Sequence, residues 1–317
     1  MLNLSKSLRK YLQNYKISKM NKVNILLSSY NGERYIKEMI DSLLAQENVE
    51  IDLLVRDDGS TDNTPKILDE YQSKDQLTWY QGKNLKPAHS FMQLVKDSHD
   101  ADYYAFADED DYWKPEKVST GVEAIKPYDD IPALYFSRTQ LTDENLNPIP
   151  GPIINPKLTF GESLVYEFIP GCTMVFNKKL RDIINLYTPS YIPMHDVWIY
   201  SVALAVGAKI VFDPNSYILY RQHSSNTIGQ GQGEMHEWKR RYHRFVYSEH
   251  SRYRRAQEIW NGYNQMMCNE NKDILKKFID AKQSIVKRCK LIQDSRLEPS
   301  EKSVWRLFKI ATLLNIY

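Results

Sequence analysis

Residues 22–60 read KVNILLSSYNGERYIKEMIDSLLAQENVEIDLLVRDDGS, and the alternation within this stretch decides the fold class. Val23–Ser29 is an apolar run of strand length. Ile36, Met39, Ile40 and Leu43 then recur at i, i+3, i+4 and i+7, the spacing of one helix face. Ile51–Arg56 is a second strand, and it ends in the turn Asp57-Asp58-Gly59-Ser60. Working outward, Thr61 or Asp62 caps a helix with Ile67, Leu68 and Tyr71 on its apolar side. Leu77–Gln81 reads as a third strand, Ser90–Ser98 as part of a third helix and Tyr103–Ala107 as a fourth strand. A βαβαβαβ rhythm implies an α/β fold, a mainly parallel, Rossmann-like sheet covered by helices through right-handed crossovers. Such sheets bind ligands beyond the carboxyl ends of their strands. The chemistry is therefore expected at Ser29-Tyr30-Asn31, at Asp57–Ser60 and at Asp108-Glu109-Asp110-Asp111.

Beyond Pro132 the pattern turns mixed. Strands are expected at Ala133–Gln140, Gly171–Asn177, Lys209–Asp213 and Tyr217–Arg221, with a helix over Asp196–Val206. A Gly/Gln stretch from Gly229 reads as a link to a helical C-terminal extension. The expected organisation is a basic arm over 1–21, a catalytic domain over 22–230 and a helical, basic region over 231–317. Net charge is +2 overall, but from His236 onward 18 Lys/Arg stand against 9 Asp/Glu, leaving the body before it acidic. That asymmetry calls for an anionic partner, and with no nucleic-acid-binding motif beside it a membrane surface or phosphorylated acceptor fits better than nucleic acid. Cys172, Cys268 and Cys289 form no CxxC pair and read as free thiols of a reducing cytoplasm. Residues 1–20 contain Lys6, Arg9, Lys10, Lys16 and Lys19 and no continuous apolar run, so no signal peptide is expected.

Three constellations carry chemistry. Asp108–Asp111 follows an apolar strand, and hard cations such as Mg²⁺ take carboxylates together with substrate phosphates. Read alone, the cluster is equally an acidic cap on the helix near Pro115. The Asp57–Ser60 turn is turn and cap chemistry, yet an aspartate there can also accept the imide N–H of a uracil or thymine. At Ser29-Tyr30-Asn31-Gly32-Glu33 a strand breaks into a helix, leaving room for a nucleotide with Tyr30 beside its base or ribose.

Together, LLSSYNGERYI (26–36), LLVRDDGSTDNT (53–64) and YAFADEDDYWKPEK (104–117) resemble the nucleotide-sugar-binding half of family 2 glycosyltransferases with the GT-A fold. PGCTMVFNKKL (170–180), MHDVWIY (194–200) and YRQHSSNTIG (220–229) are similar to the acceptor half of bacterial rhamnosyltransferase-like members. The resemblance implies that Asp58 contacts the base with Asp57 in support, and that Ser29, Tyr30, Asn31 and Glu33 line the nucleotide. It makes Asp110 the main ligand of Mg²⁺ or Mn²⁺, Asp108 the carboxylate between ribose and metal, and Asp196 the catalytic base. Arg221 and His223 would hold the diphosphate or metal. Trp113, Gly171, Cys172, His195 and Trp198 would line the acceptor side. Glu109 departs from the glutamine common in these relatives, at a position that faces away from the ion.

The implied activity is inverting transfer of a sugar, rhamnose from dTDP-rhamnose first, to a glycan or lipid-pyrophosphate-linked hydroxyl in bacterial surface polysaccharide synthesis. UDP-glucose or UDP-galactose donors stay open, as do a glycoside hydrolase using paired carboxylates and a non-catalytic carbohydrate-binding protein. The implied location is the cytoplasm, with peripheral contact at the inner membrane face. Val304, Leu307, Phe308 and Ala311 recur at helical spacing opposite Lys302, Arg306 and Lys309. That is the pattern of an interfacial helix, or of one packed on the core or on a second subunit of a homodimer.

Overall fold

The computed structural model describes residues 20–222 and 250–317. Residues 1–19, the link after Gly229, the boundary at 230/231 and His223 lie outside the described residues. The first half alternates as the spacing predicts. β1 (Lys22–Ser29) leads to α1 (Ile36–Leu44), β2 (Glu50–Asp57), α2 (Thr64–Gln72), β3 (Thr78–Gln81), α3 (Lys86–Asp97) and β4 (Tyr103–Asp108). Next come β5 (Tyr112–Trp113), α4 (Lys117–Ile125), β6 (Ala133–Thr142), α5 (Phe160–Val165), β7 (Val175–Asn177), α6 (Lys178–Ile184), α7 (His195–Ala205) and β8 (Lys209–Arg221). The described C-terminal part is helical: α8 (Ser251–Tyr263), α9 (Asn269–Asp280), α10 (Ile285–Leu291) and α11 (Lys302–Leu313).

One sheet of eight strands runs in the order β3-β2-β1-β4-β7-β6-β8-β5. Its first four strands are parallel. β7 then runs antiparallel to both β4 and β6, β8 runs parallel to β6, and β5 closes the edge antiparallel to β8. Two expectations change. Lys209–Asp213 and Tyr217–Arg221 are one strand, not two, because Pro214 and Asn215 bulge out between the register pairs Ser137–Asp213 and Arg138–Ser216. Asp213 stabilises the bulge by accepting the Asn215 N–H at 2.8 Å. The strand expected over Gly171–Asn177 is a single helical turn at Gly171–Thr173 and then three strand residues.

Alternation along each strand divides the core in two. On β1, Val23, Ile25 and Leu27 face the layer formed by α1, α2 and α4, whereas Leu26 faces the opposite layer with Phe91, Leu94 and Val95 of α3. That second layer also takes in α7 and the C-terminal helices: Ile259, Phe278 and Phe308 share a core with Phe106, Phe136 and Phe176. Polar bonds tie the same seam. Arg255, fully buried, donates to Glu167 at 2.9 Å and to the Ser163 carbonyl at 2.8 Å, and Glu162 accepts from the N–H groups of Lys157 and Ser300. No helix among the described residues is long and apolar enough to cross a membrane.

The closest approach at this seam is at Gly161, where a methyl group would press into the backbone carbonyl of Arg296. Backbone cannot swing aside as a side chain can. Gly161→Ala should therefore destabilise the fold by about 1–3 kcal/mol or more, the usual cost of overpacking. Urea unfolding measures it, and an unchanged midpoint would mean that the helices are not docked here.

Candidate active site

Register brings the three expected places to one end of the sheet. Ser29 is level with Asp57 on β2, and Ser28 is level with Asp108 on β4. The loops that follow are laced together by side chains. Asn31, in the left-handed region at φ 54°, donates its N–H to Ser60 Oγ at 2.8 Å and accepts the Thr61 N–H at 2.8 Å. Glu33 accepts the Asn63 N–H at 2.8 Å, and Asp62 accepts those of Glu33 and Thr64. Asn31 and Glu33 thus clasp loop to loop. Tyr30, 48% exposed, is the large open side chain of this group.

Asp57 is fully buried and shapes its turn, accepting from the N–H groups of Gly59 and Ser60 and from Gln81. Asp58 is 3% exposed. Its carboxylate is held by the Arg56 guanidinium and by the N–H groups of Leu85, at 2.9 Å, and Lys86, at 3.1 Å, where α3 begins. Arg56 was missed from sequence, although a lone cation at the end of an apolar strand was its signal.

The acidic turn divides its duties. Glu109 folds back to accept the Tyr30 N–H at 2.6 Å, away from its neighbours; burial pushes its carboxyl up to about 8. Asp108, Asp111 and the Cys172 thiol present ligand atoms all within 4.8 Å of one another. Burial, then the charges of Asp110 and Asp196, raise Asp108 to about 7. Asp111, fully buried, is raised well above the carboxylate range by burial and by Asp110 and Asp108, and its Oδ2 has no hydrogen-bond partner. Asp111 is a residue that the sequence reading passed over as one more member of an acidic run.

Asp196 joins this group from the other side. It lies in the first turn of α7, a helix with ten of its eleven residues buried, so the carboxylate is taken out of water with the rest. Burial raises it to about 7, against the pull of the Val197 and Gly171 N–H groups, which it accepts at 2.6 and 3.2 Å. His195 is stacked on Phe91 with ring centroids 3.9 Å apart, and desolvation lowers it to about 3, so it is neutral. Among the described residues neither ring nitrogen has a hydrogen-bond partner. Gly171 touches both residues: a Cβ there would lie 2.5 Å from His195 Nε2 and 3.2 Å from Asp196 Cβ.

Other expected site residues are placed differently. Trp198 and Trp113 do not line an acceptor surface. Trp198 is fully buried against Tyr263 of α8, because α7 is apolar all round. Trp113 is a core residue whose ring lies 3.3 Å from Lys117 Nζ; burial drags that amine down to about 7. Cys172 lies beneath Asp111 instead of on a surface, its thiol pushed well up by burial and by Asp111. The Arg221 guanidinium turns behind the acidic turn, donating Nε to the Asp110 carbonyl at 2.8 Å and pairing with Glu38, while its ring-facing side covers Tyr35 at 4.5 Å. His223 lies outside the described residues.

The donor set can be tested against a cation. Asp108 and Asp111 offer hard oxygen atoms beside Cys172, and Oδ2 of Asp111 is buried with no hydrogen-bond partner among the described residues. The neighbouring sulfur is held protonated by its raised pKa. Oxygen donors beside a neutral thiol suit Mg²⁺ or Mn²⁺ rather than a thiophilic metal.

A parallel half-sheet joined to a mixed half, with carboxylates collected at the strand ends, is the architecture of the GT-A transferases. The chain belongs to glycosyl transferase family 2, whose description matches residues 24–183. It is therefore a transferase enzyme. The dTDP-rhamnosyl transferase RfbG of Shigella flexneri is 29% identical over 225 residues, 64% of this chain and 73% of that one. Among solved structures, S. aureus TarS 1–349 in complex with UDP superposes with a TM-score of 0.59 at 18% identity, covering 93% of this chain and 87% of that one. The mannosyltransferase PcManGT from Pyrobaculum calidifontis, in complex with GDP-Man and Mn²⁺, gives 0.53 at 14% identity, covering 94% and 86%.

Gly171→Ala should push His195 off its stack and pull the Gly171 N–H from Asp196. Transfer should fall at least about tenfold, the order of loss that a shift of about 1 Å brings around a reaction site. Steady-state kinetics checks this, and full activity would mean that the approach is not needed.

Proposed function

We propose that the chain transfers a sugar from a nucleoside diphosphate donor to an acceptor hydroxyl, with inversion and with Mg²⁺ or Mn²⁺ as cofactor. The observation that carries the reading is Asp196, buried in the first turn of α7 and close enough to Asp108 to raise its pKa. A general base needs a pKa near working pH, and burial puts Asp196 at about 7. The Gly171 N–H fixes one carboxylate oxygen. Asp196 takes the acceptor's proton, the acceptor oxygen attacks the anomeric carbon, and the bond to the diphosphate breaks on the opposite side. No covalent link to the protein is needed.

Asp108 and Asp110 would hold the cation, with Asp111 as the buried third carboxylate. When bound, that cation supplies Lewis-acid neutralisation of the departing diphosphate. Tyr30 stacks beside the base, and the Asp57–Ser60 turn forms its floor, with Asp58 holding Arg56 and the start of α3 in place beneath it. Rhamnose from dTDP-rhamnose is the first donor to test, supported by the likeness to a dTDP-rhamnosyl transferase; UDP- and GDP-sugars complete the panel, since TarS and PcManGT were solved with UDP and GDP-Man. The acceptor is a glycan or lipid-linked hydroxyl of a bacterial surface polysaccharide, reached from the cytoplasmic side.

The test is that panel with the wild-type chain and with Asp196→Asn. The variant should bind donor as before and lose transfer by about 10²–10⁴-fold, the range of a lost general base. The wild-type rate should rise with pH through about 7, because a base raised to that value must first lose its proton. Near-normal turnover in the variant, or a rate that falls from pH 6 to about pH 8, would contradict the assignment.

A further inference from the structure

The C-terminal helices carry a surface that the site does not use. On α11 the inward side is Trp305, Phe308, Ala311 and Thr312, all buried, with Phe308 stacked on Phe278 at 5.7 Å. Phe308 and Ala311, whose spacing fits an interfacial helix and a packed one alike, are thus core residues. A second apolar stripe faces outward. Leu307, Ile310 and Leu314 stand at i, i+3 and i+7 on the exposed side, with Leu313 one step round. Ile310 is 50% and Leu314 62% exposed.

The stripe does not end with α11. Lys282 Nζ donates to the Asn315 carbonyl at 2.8 Å, so the end of α11 lies against the approach to α10. α10 begins three residues later with Ile285 and Val286, both more than half exposed. Of the 13 exposed large apolar side chains among the described residues, six fall between 285 and 314. Scattered apolar residues need no explanation, whereas a concentrated patch does.

Charge decides what covers it. The sequences of α10 (IVKRCKL) and α11 (KSVWRLFKIATL) contain six Lys/Arg and no Asp/Glu. Lys302, Arg306, Lys287 and Lys290 are exposed. A second copy docked across a two-fold axis would bring two cationic faces together. An anionic bilayer accepts the stripe among its acyl chains and the cations among its headgroups.

We propose that the outer face of α10 and α11 is a peripheral docking surface for anionic lipid bilayers. It stands independently of the transfer chemistry, because none of its residues belongs to the site.

The test is flotation of the full chain with vesicles of phosphatidylcholine alone or mixed in equal parts with phosphatidylglycerol. Wild type should partition at least about tenfold more strongly to the anionic vesicles, and added salt should weaken it. Ile310→Asp with Leu314→Asp should cost about tenfold or more in partitioning, and Lys302→Gln with Arg306→Gln should bring the two vesicle types together. All four positions are exposed, so circular dichroism and nucleotide binding should be unchanged. Equal binding of wild type to both vesicles, or unaltered binding of the Asp double variant, would overturn the proposal. A wild-type dimer that this variant turns into a monomer would also overturn it, by showing a second copy on the face. Loss of transfer activity with vesicle binding intact would fall on the proposed function and leave this surface standing.

Discussion

Asp108, Asp110, Asp111 and Asp196 converge beyond the end of β4, and burial, with the repulsion that Asp110 adds on Asp108 and Asp111, is the constraint around which the rest is built. Carboxylates taken out of water favour their neutral form unless a positive charge joins them. The nearest buried amine, Lys117, is stacked on Trp113 and pushed toward neutrality, and Arg221 grips the backbone of the turn from behind. In the proposed function this group receives a cation and its diphosphate together.

The scaffold holds this arrangement by linking loops that have little regular structure of their own. Asn31, Glu33 and Asp62 lace the β1 and β2 loops, Asp57 closes its turn, and Asp58 with Arg56 anchors the start of α3. Glu109 ties the acidic turn to Tyr30. Behind Asp196, the packing of α7 against α8 through Trp198 and Tyr263 carries the C-terminal helices into the support of the site. Placement of Asp196 therefore depends on residues far along the chain.

Much of this was legible beforehand. Strands β1, β2 and β4 and helix α1 followed from period and length, and the rule that ligands meet strand ends selected the acidic turn. What spelling concealed was direction. Motif residues Trp113 and Trp198 resemble acceptor contacts in text, but Trp113 points inward from the edge strand β5 and Trp198 sits on a helix buried almost all round, so both are core. Asp111 looked redundant beside Asp108 and Asp110 until its unpartnered oxygen placed it under them. On α11 the spacing of Val304, Leu307, Phe308 and Ala311 fitted an interfacial helix and a packed one equally, and only packing showed that Phe308 and Ala311 point in and Leu307 out. Long-range pairings such as Arg221 with Glu38 leave no local signature at all.

On the proposed function these aspartates form one centre for a cation and a nucleoside diphosphate. Calorimetric titration of dTDP and UDP, with Mn²⁺ and with chelator, tests it most directly on wild type and on a folded chain carrying Asp108→Asn and Asp110→Asn. Affinity should drop at least about tenfold without Mn²⁺ in the wild type and be insensitive to it in the variant, each tenfold being about 1.4 kcal/mol. Equal affinity with and without the ion in the wild type would contradict the account.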